Sequence, residues 1–319
     1  MSVECPSGSR YGLPGSLGPV ADFEVCDELD ADRRPEVIEL VNRVAARIGH
    51  RPLSDHLWLD LLHGDRAGVG GVRALDSGRL VGYAQLSPSA GGWVAGAVVD
   101  DHSPSLIRGL LTGILDLAAR RGGGDVHWWT LGDDSQSDSA AIEAGMSPER
   151  AVHQMKVDLP LDQAHQPRTD VSVRSFRVGL DEAAWLEVNN AAFASHSEQG
   201  GWDAAMLGQR EREPWFDPAG FLLHEHSGRL AGFCWTKLHD DSEPVEGEIY
   251  VIAVHPDFHG LGLGRALTVA GLDSIARRGV RCGMLFVDAT NHAAIKLYRS
   301  LGFTVERTDH AFVLTVLPS

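Results

Sequence analysis

The stretch Val251-Ile252-Ala253-Val254-His255-Pro256, continued by His259-Gly260-Leu261-Gly262-Leu263-Gly264-Arg265, decides how the chain is read. The β-branched run over 248–254 predicts a strand. Leu263, Leu267, Ala270 and Ile275 then fall near helical spacing, which predicts a helix over 264–278 that ends at Gly279. Between them lies a glycine loop whose free N–H groups, at the positive end of a helix, suit a pyrophosphate. A dinucleotide fingerprint G-x-G-x-x-G is absent, because Arg265 or Leu267 stands where the third glycine belongs. The Gly-Lys-Ser/Thr of a P-loop is absent too, and a glycine-rich turn without ligand remains the plainer alternative.

Working outward, 221–226 and 229–237 read as strands about a Ser227-Gly228 turn. A further strand is expected over 284–288, a helix from an Asn291 cap through Ser300, and closing strands over 304–317. That order is α+β with a mixed sheet flanked by helices. The chain also repeats itself. Ser77-Gly78-Arg79-Leu80-Val81-Gly82-Tyr83 returns as Ser227-Gly228-Arg229-Leu230-Ala231-Gly232-Phe233, from 77 to 227, an offset of 150. Ala119-Arg120-Arg121-Gly122 returns as Ala276-Arg277-Arg278-Gly279, and Ala144-Gly145-Met146 as Leu301-Gly302-Phe303, both at an offset of 157. Two copies of one fold are expected, with an insertion near 240–247 in the second. The expected organisation is a flexible tail over 1–19, a first domain over 20–160, a polar linker over 161–170 and a second domain over 171–319.

Composition narrows the function classes. The 319 residues carry a net charge of −16, which repels phosphodiester backbones and anionic membranes. No apolar run spans a membrane and the first residues are too polar for a secretory signal, so a cytoplasmic protein is expected. Four cysteines without a CxxC pair fit free thiols in a reducing compartment. His255 with His259, and His224 with His226, lack both an HExxH context and a third ligand, so no metal is assigned.

Together with Asn291-His292-Ala293-Ala294-Ile295-Lys296-Leu297-Tyr298-Arg299-Ser300-Leu301-Gly302-Phe303, the strand and loop resemble motifs A and B of the GNAT family of acyl-CoA N-acyltransferases, in sequence order. The resemblance implies two tandem GNAT domains and acetyl-CoA as acetyl donor. It implies that the pantetheine arm lies along Ile252, Ala253 and Val254. The pyrophosphate would sit on His259, Gly260, Leu261, Gly262, Leu263, Gly264 and Arg265, with Asn291 and Lys296 also touching the coenzyme. His259 departs mildly from the Gln or Arg that usually opens the loop. The segments 196–202, 213–221 and 235–237 further resemble tandem members that acetylate the cysteinyl amine of cysteinyl-glucosaminyl-inositol, the last step of mycothiol formation. Small-molecule partners and a monomer are the corresponding expectations.

N-acetylation needs a neutral amine, a polarised thioester and a proton for the leaving thiolate. By strand parity Glu248, Tyr250, Ile252 and Val254 share a face, so Glu248 is the expected base, although a solvent-facing strand residue is the bland reading. Tyr298, about two helical turns beyond the Asn291 cap, is the acid that the resemblance implies, although alone it also reads as packing. The resemblance places Asp55, Glu198, Lys237, Glu248 and Phe286 at the acceptor, with Asp55 standing for a Glu and Phe286 for a Tyr. At the 157 offset the first half presents His102–Arg108 opposite the glycine loop and Gly91 opposite Glu248. The match of Ala140-Ala141-Ile142 to Ala293-Ala294-Ile295, at an offset of 153, predicts a shortened helix that lacks Tyr298. The first half is therefore expected to be a structural or substrate-shaping domain. A tandem enzyme for another small amine, an aminoglycoside or polyamine, and a non-catalytic acyl-CoA-binding protein are the competing readings.

Overall fold

The computed structural model describes residues 10–11, 21–28, 31–64, 66–89, 91–101, 103–132, 134–162, 171–194, 200–240 and 244–319. In chain order the first repeat supplies β1 (Arg10–Tyr11), β2 (Asp22–Cys26), α1 (Arg34–Ile48), α2 (Asp55–His63), β3 (Gly70–Asp76) and β4 (Arg79–Ser89). It continues with β5 (Gly92–Val99), α3 (Pro104–Arg120), β6 (Gly124–Thr130), α4 (Ser135–Glu143) and β7 (Ser147–Asp158). The second supplies β8 (Arg174–Ser175), α5 (Glu182–Ala192), α6 (Ala204–Glu211), β9 (Phe221–His226), β10 (Arg229–His239) and β11 (Glu246–Val254). Then follow α7 (Leu263–Arg277), β12 (Cys282–Asp288), α8 (His292–Ser300) and β13 (Thr304–Val316). Where closing strands were expected over 304–317, one strand is found. Within the expected tail, Arg10–Tyr11 pair with β2, and the rest of 1–19 lies outside the described residues.

Two compact units are present, one of residues up to 151 with 308–319, the other of 152–307. These depart from the expected domains 20–160 and 171–319. In the first unit β13 pairs antiparallel with β6, from His310↔Thr130 to Val316↔Gly124. In the second, β7 pairs antiparallel with β12, from Cys282↔Asp158 to Asp288↔Val152. Each unit thus completes its sheet with a strand from the other half of the sequence. Alternating apolar residues specify a strand but not the edge it joins, so local pattern could not reveal this. Of the expected linker only Leu161 and Asp162 are described.

The repeat is visible in the backbone. Ser77 and Gly78 have φ 51° and 82°, Ser227 and Gly228 have 52° and 77°, and both pairs make the same left-handed hairpin turn. The strands that follow pair alike, Gly82 opposite Val99 and Gly232 opposite Val254. The copies differ in that the β10–β11 ladder slips between Trp235 and Thr236, with Trp235 opposite Val251 and Thr236 opposite Ile249. Tyr250 is the extra residue of a β-bulge. A bulge reverses strand parity. Ile249, Ile252 and Val254 therefore pack with α7 and α8, whereas Tyr250, Val251 and Ala253 pack into an aromatic cluster with Trp185, Phe221 and Trp235. The expectation that Glu248, Tyr250, Ile252 and Val254 share one face fails for this reason.

The bulge and the longer β10–β11 connection also break the constant offset used to align the halves. By ladder position Glu248, opposite Lys237, corresponds to Val94, opposite Ser87, and not to Gly91. Helices α4 and α8 each have nine residues and are capped alike, Asp134 accepting from the Ser137 N–H and Asn291 from the Ala294 N–H. The shortened helix expected in the first half is absent, and Ala141 occupies the place of Tyr298. The 153-offset match was a coincidence of small residues.

Candidate active site

Strands β11 and β12 run parallel and are hydrogen-bonded only from Glu246↔Cys282 to Ile249↔Leu285. Beyond that point β11 stays with β10 as far as Val254, and β12 stays with β7 as far as Asp288. The two strands part, and the backbone of 250–254 faces a wedge. Such an edge can pair with an amide-bearing chain such as pantetheine.

At the mouth of the wedge the loop turns through Gly260 and Gly262, with φ 83° and 75°. Glycine adopts these left-handed values without strain. A Cβ at either would meet nothing within 4 Å, so the loop backbone stands in open space. His259 Nε2 lies 3.1 Å from the Val254 carbonyl, tying the loop to the strand. Gly262 caps α7 with no side-chain cap, which leaves first-turn N–H groups directed outward. Arg265 donates to Ser300 Oγ at the start of α7, and Lys296 is exposed on α8. Leu263 is buried, so it holds the loop down while its neighbours form the cradle. Asn291 serves as N-cap, accepting from Ala294 N–H at 3.1 Å. The residues present thus fit a pyrophosphate-bearing substrate.

Titratable groups occupy both sides of β11. Glu248 is 6% exposed and its Oε2 lies 2.7 Å from His239 Nε2. Lys237 stands opposite it on β10, its ammonium 4.7 Å from the Trp215 ring centre and 5.3 Å from that of Tyr250. The Tyr250 hydroxyl accepts from Arg210 Nε at 3.0 Å. On the α7 and α8 side Tyr298 is buried beside Phe303, ring centres 5.7 Å apart. Burial first, and the nearby Cys234 thiol second, push its phenol pKa above the ordinary value. Cys234 itself, opposite Ile252, is pushed up to about 12 by burial.

Known proteins place this geometry. The Acetyltransferase (GNAT) family matches residues 184–303, which hold the wedge, loop and α8. A mycothiol acetyltransferase from Acidimicrobium ferrooxidans is 41% identical over 284 residues, covering 86% of this chain and 92% of the relative. One from Streptomyces coelicolor is 40% identical over 309 residues, covering 94% and 96%. The chain belongs to the mycothiol acetyltransferase family. Among solved structures, a tandem GNAT protein from the clavulanic acid biosynthesis pathway superposes with TM-score 0.68 at 16% identity, covering 94% of this chain and 99% of that one. A GCN5-related N-acetyltransferase from Sphaerobacter thermophilus gives 0.67 at 22% identity, covering 93% and 96%. These two share the fold. The chain is an N-acetyltransferase of α+β GNAT architecture, and acetyl-CoA is its donor.

Against that mycothiol acetyltransferase framework the remaining expected residues fall unevenly. Lys237 and Glu248 come together. Phe286 lies on β12, 40% exposed, with the Arg307 guanidinium 5.8 Å from its ring centre. Asp55 opens α2 in the first unit, where Arg51 donates to it at 3.5 Å. Glu198 lies outside the described residues. The first unit repeats the wedge, since β5 and β6 pair only from Gly92↔Asp125 to Gly96↔Trp129. A cavity of about 50 Å³ there is lined by Ala97, Val99, Ile107, Trp128 and Ser137 among others. Its loop has four residues, 100–103, where the second unit has eight, 255–262, so the glycine turn is shortened rather than substituted. No three His, Cys, Asp or Glu side chains converge as metal ligands among the described residues. No helix among them is long and apolar enough to cross a membrane.

His239 was missed. The sequence-based strand stopped at Lys237, and carrying its alternation two residues further would have placed His239 on the Lys237 face.

Proposed function

We propose that this chain transfers the acetyl group of acetyl-CoA to the cysteinyl amine of cysteinyl-glucosaminyl-inositol, the last step of mycothiol formation, as a cytoplasmic monomer. It needs neither nucleic acid nor membrane. The observation that carries the reading is the parted β11–β12 pair with a buried carboxylate on one face and a buried phenol on the other. Relatives at about 40% identity support the acceptor class.

In this reading Ile252–Val254 and the 259–265 loop hold the coenzyme, and Asn291 and Lys296 add to that hold. Glu248 removes a proton from the acceptor ammonium. The freed amine attacks the thioester carbonyl, the C–N bond forms, and the tetrahedral adduct, once its nitrogen has released its second proton to solvent, collapses with cleavage of C–S. Tyr298 gives its proton to the departing thiolate. Its raised pKa keeps the phenol protonated through the neutral range, as an acid requires. Glu198, Lys237 and Phe286 are assigned to the acceptor, where a carboxylate suits an ammonium and sugar hydroxyls. The second unit carries the chemistry, and Val94 and Ala141 leave the first without an acid–base pair.

The test offers purified protein acetyl-CoA with cysteinyl-glucosaminyl-inositol, aminoglycosides and polyamines, reading N-acetyl product by mass. Turnover should be highest with the cysteinyl amino-sugar. Equal or higher kcat/KM with an aminoglycoside or polyamine would overturn the acceptor assignment.

A further inference from the structure

We infer that His239 is the positioning residue for Glu248, donating its Nε2–H to one carboxylate oxygen so that the other is aimed at the acceptor amine. This rests on Glu248 being the base. The Nε2 to Oε2 distance is 2.7 Å, short enough for a charge-assisted bond. The two side chains are 17% and 8% exposed, so water competes weakly for the carboxylate. A carboxylate on a strand can rotate about its last torsion, which has a broad energy profile. A single fixed donor on Oε2 removes that freedom and leaves the Oε1 lone pairs for the substrate.

The pairing follows from the ladder. His239 stands opposite Glu246 and Lys237 opposite Glu248, so the imidazole reaches its carboxylate diagonally. Other charged groups lie on the neighbouring elements. Lys237 lies on β10, and Glu246 on β11 is held by Lys156 of β7 at 2.6 Å. Cys282 of β12 lies 3.8 Å from Glu246, Arg210 of α6 donates to Tyr250, and Asp240 follows in the chain. Glu246 already has the Lys156 ammonium, which leaves the imidazole to Glu248.

The test compares His239→Leu, which has no donor, with His239→Gln, which keeps an N–H in a similar place, and with Glu248→Gln. In His239→Leu, kcat should fall about tenfold to hundredfold, the usual scale for a hydrogen bond to a charged group. Acetyl-CoA affinity should stay as in the wild type, and His239→Gln should recover most of the rate. Wild-type rate in His239→Leu would overturn the inference, as would equal losses in the Leu and Gln variants. Should the Leu variant not fold, ¹⁵N NMR of the wild-type imidazole decides, and an unprotonated Nε2 at pH 7 would overturn it. Wild-type turnover in Glu248→Gln would instead remove the base assignment, and this inference with it.

Discussion

Replacing Tyr298 by Phe removes one oxygen and separates chemistry from packing. The side chain is 8% exposed, its ring rests against Phe303 at 5.7 Å, and its hydroxyl makes no hydrogen bond to another described residue. The fold should therefore lose less than about 1 kcal/mol, because the ring stays and no protein hydrogen bond is broken. Catalysis should lose far more. A general acid contributes roughly 10²–10⁴-fold, which at about 1.4 kcal/mol per decade is about 3–5 kcal/mol of barrier. Burial raises the phenol pKa, so the protonated and active form persists to higher pH than a free tyrosine would allow. Wild-type kcat should consequently stay level up to about pH 10, the ordinary tyrosine value, before its basic limb begins. The assay is steady-state release of coenzyme A across pH, paired with thermal melting and acetyl-CoA titration of both proteins. A Phe variant with undiminished kcat would refute the acid role. A loss of rate matched by losses of melting temperature and coenzyme affinity would show that the ring's environment, not the hydroxyl, was disturbed.

The loop offers a second perturbation. Gly262→Val at φ 75° costs about 1–3 kcal/mol of backbone strain, and the KM for acetyl-CoA should rise at least tenfold; an unchanged KM would mean that the loop does not hold the pyrophosphate. Calorimetric titration should find one tight acetyl-CoA per chain, since the first unit's loop is four residues where the second has eight, and two equally tight sites would refute this. The Cys234 thiol rises from 9.0 to about 12 on folding, so its contribution is complete below pH 9 and is lost as pH climbs through 12, at no more than about 1.4 kcal/mol per pH unit. Urea melts at pH 8 and pH 10.5 should show that decline, and Cys234→Ala should flatten it.

Much of this protein was legible in the chain. Ser77-Gly78 and Ser227-Gly228 announced two equivalent hairpins because a left-handed turn demands such residues, and α7, β12 and α8 lie within two residues of their expected bounds. Gly260, Gly262 and the Asn291 cap were readable for the same reason, since each answers to backbone geometry within a few residues. Tertiary structure decided the rest. The bulge at Tyr250 inverts strand parity and sets Glu248 on the aromatic face while Ile252 and Val254 turn to α7 and α8. The end strand, β13, joins the first unit at β6, while β7 supplies the second unit's edge at β12. His239 meets Glu248 across a diagonal of the ladder nine positions away in sequence. Local sequence encodes what a backbone does over one turn of helix or one hairpin, but register, edge choice and side-chain partnership are set by long-range pairing whose energies no short segment contains.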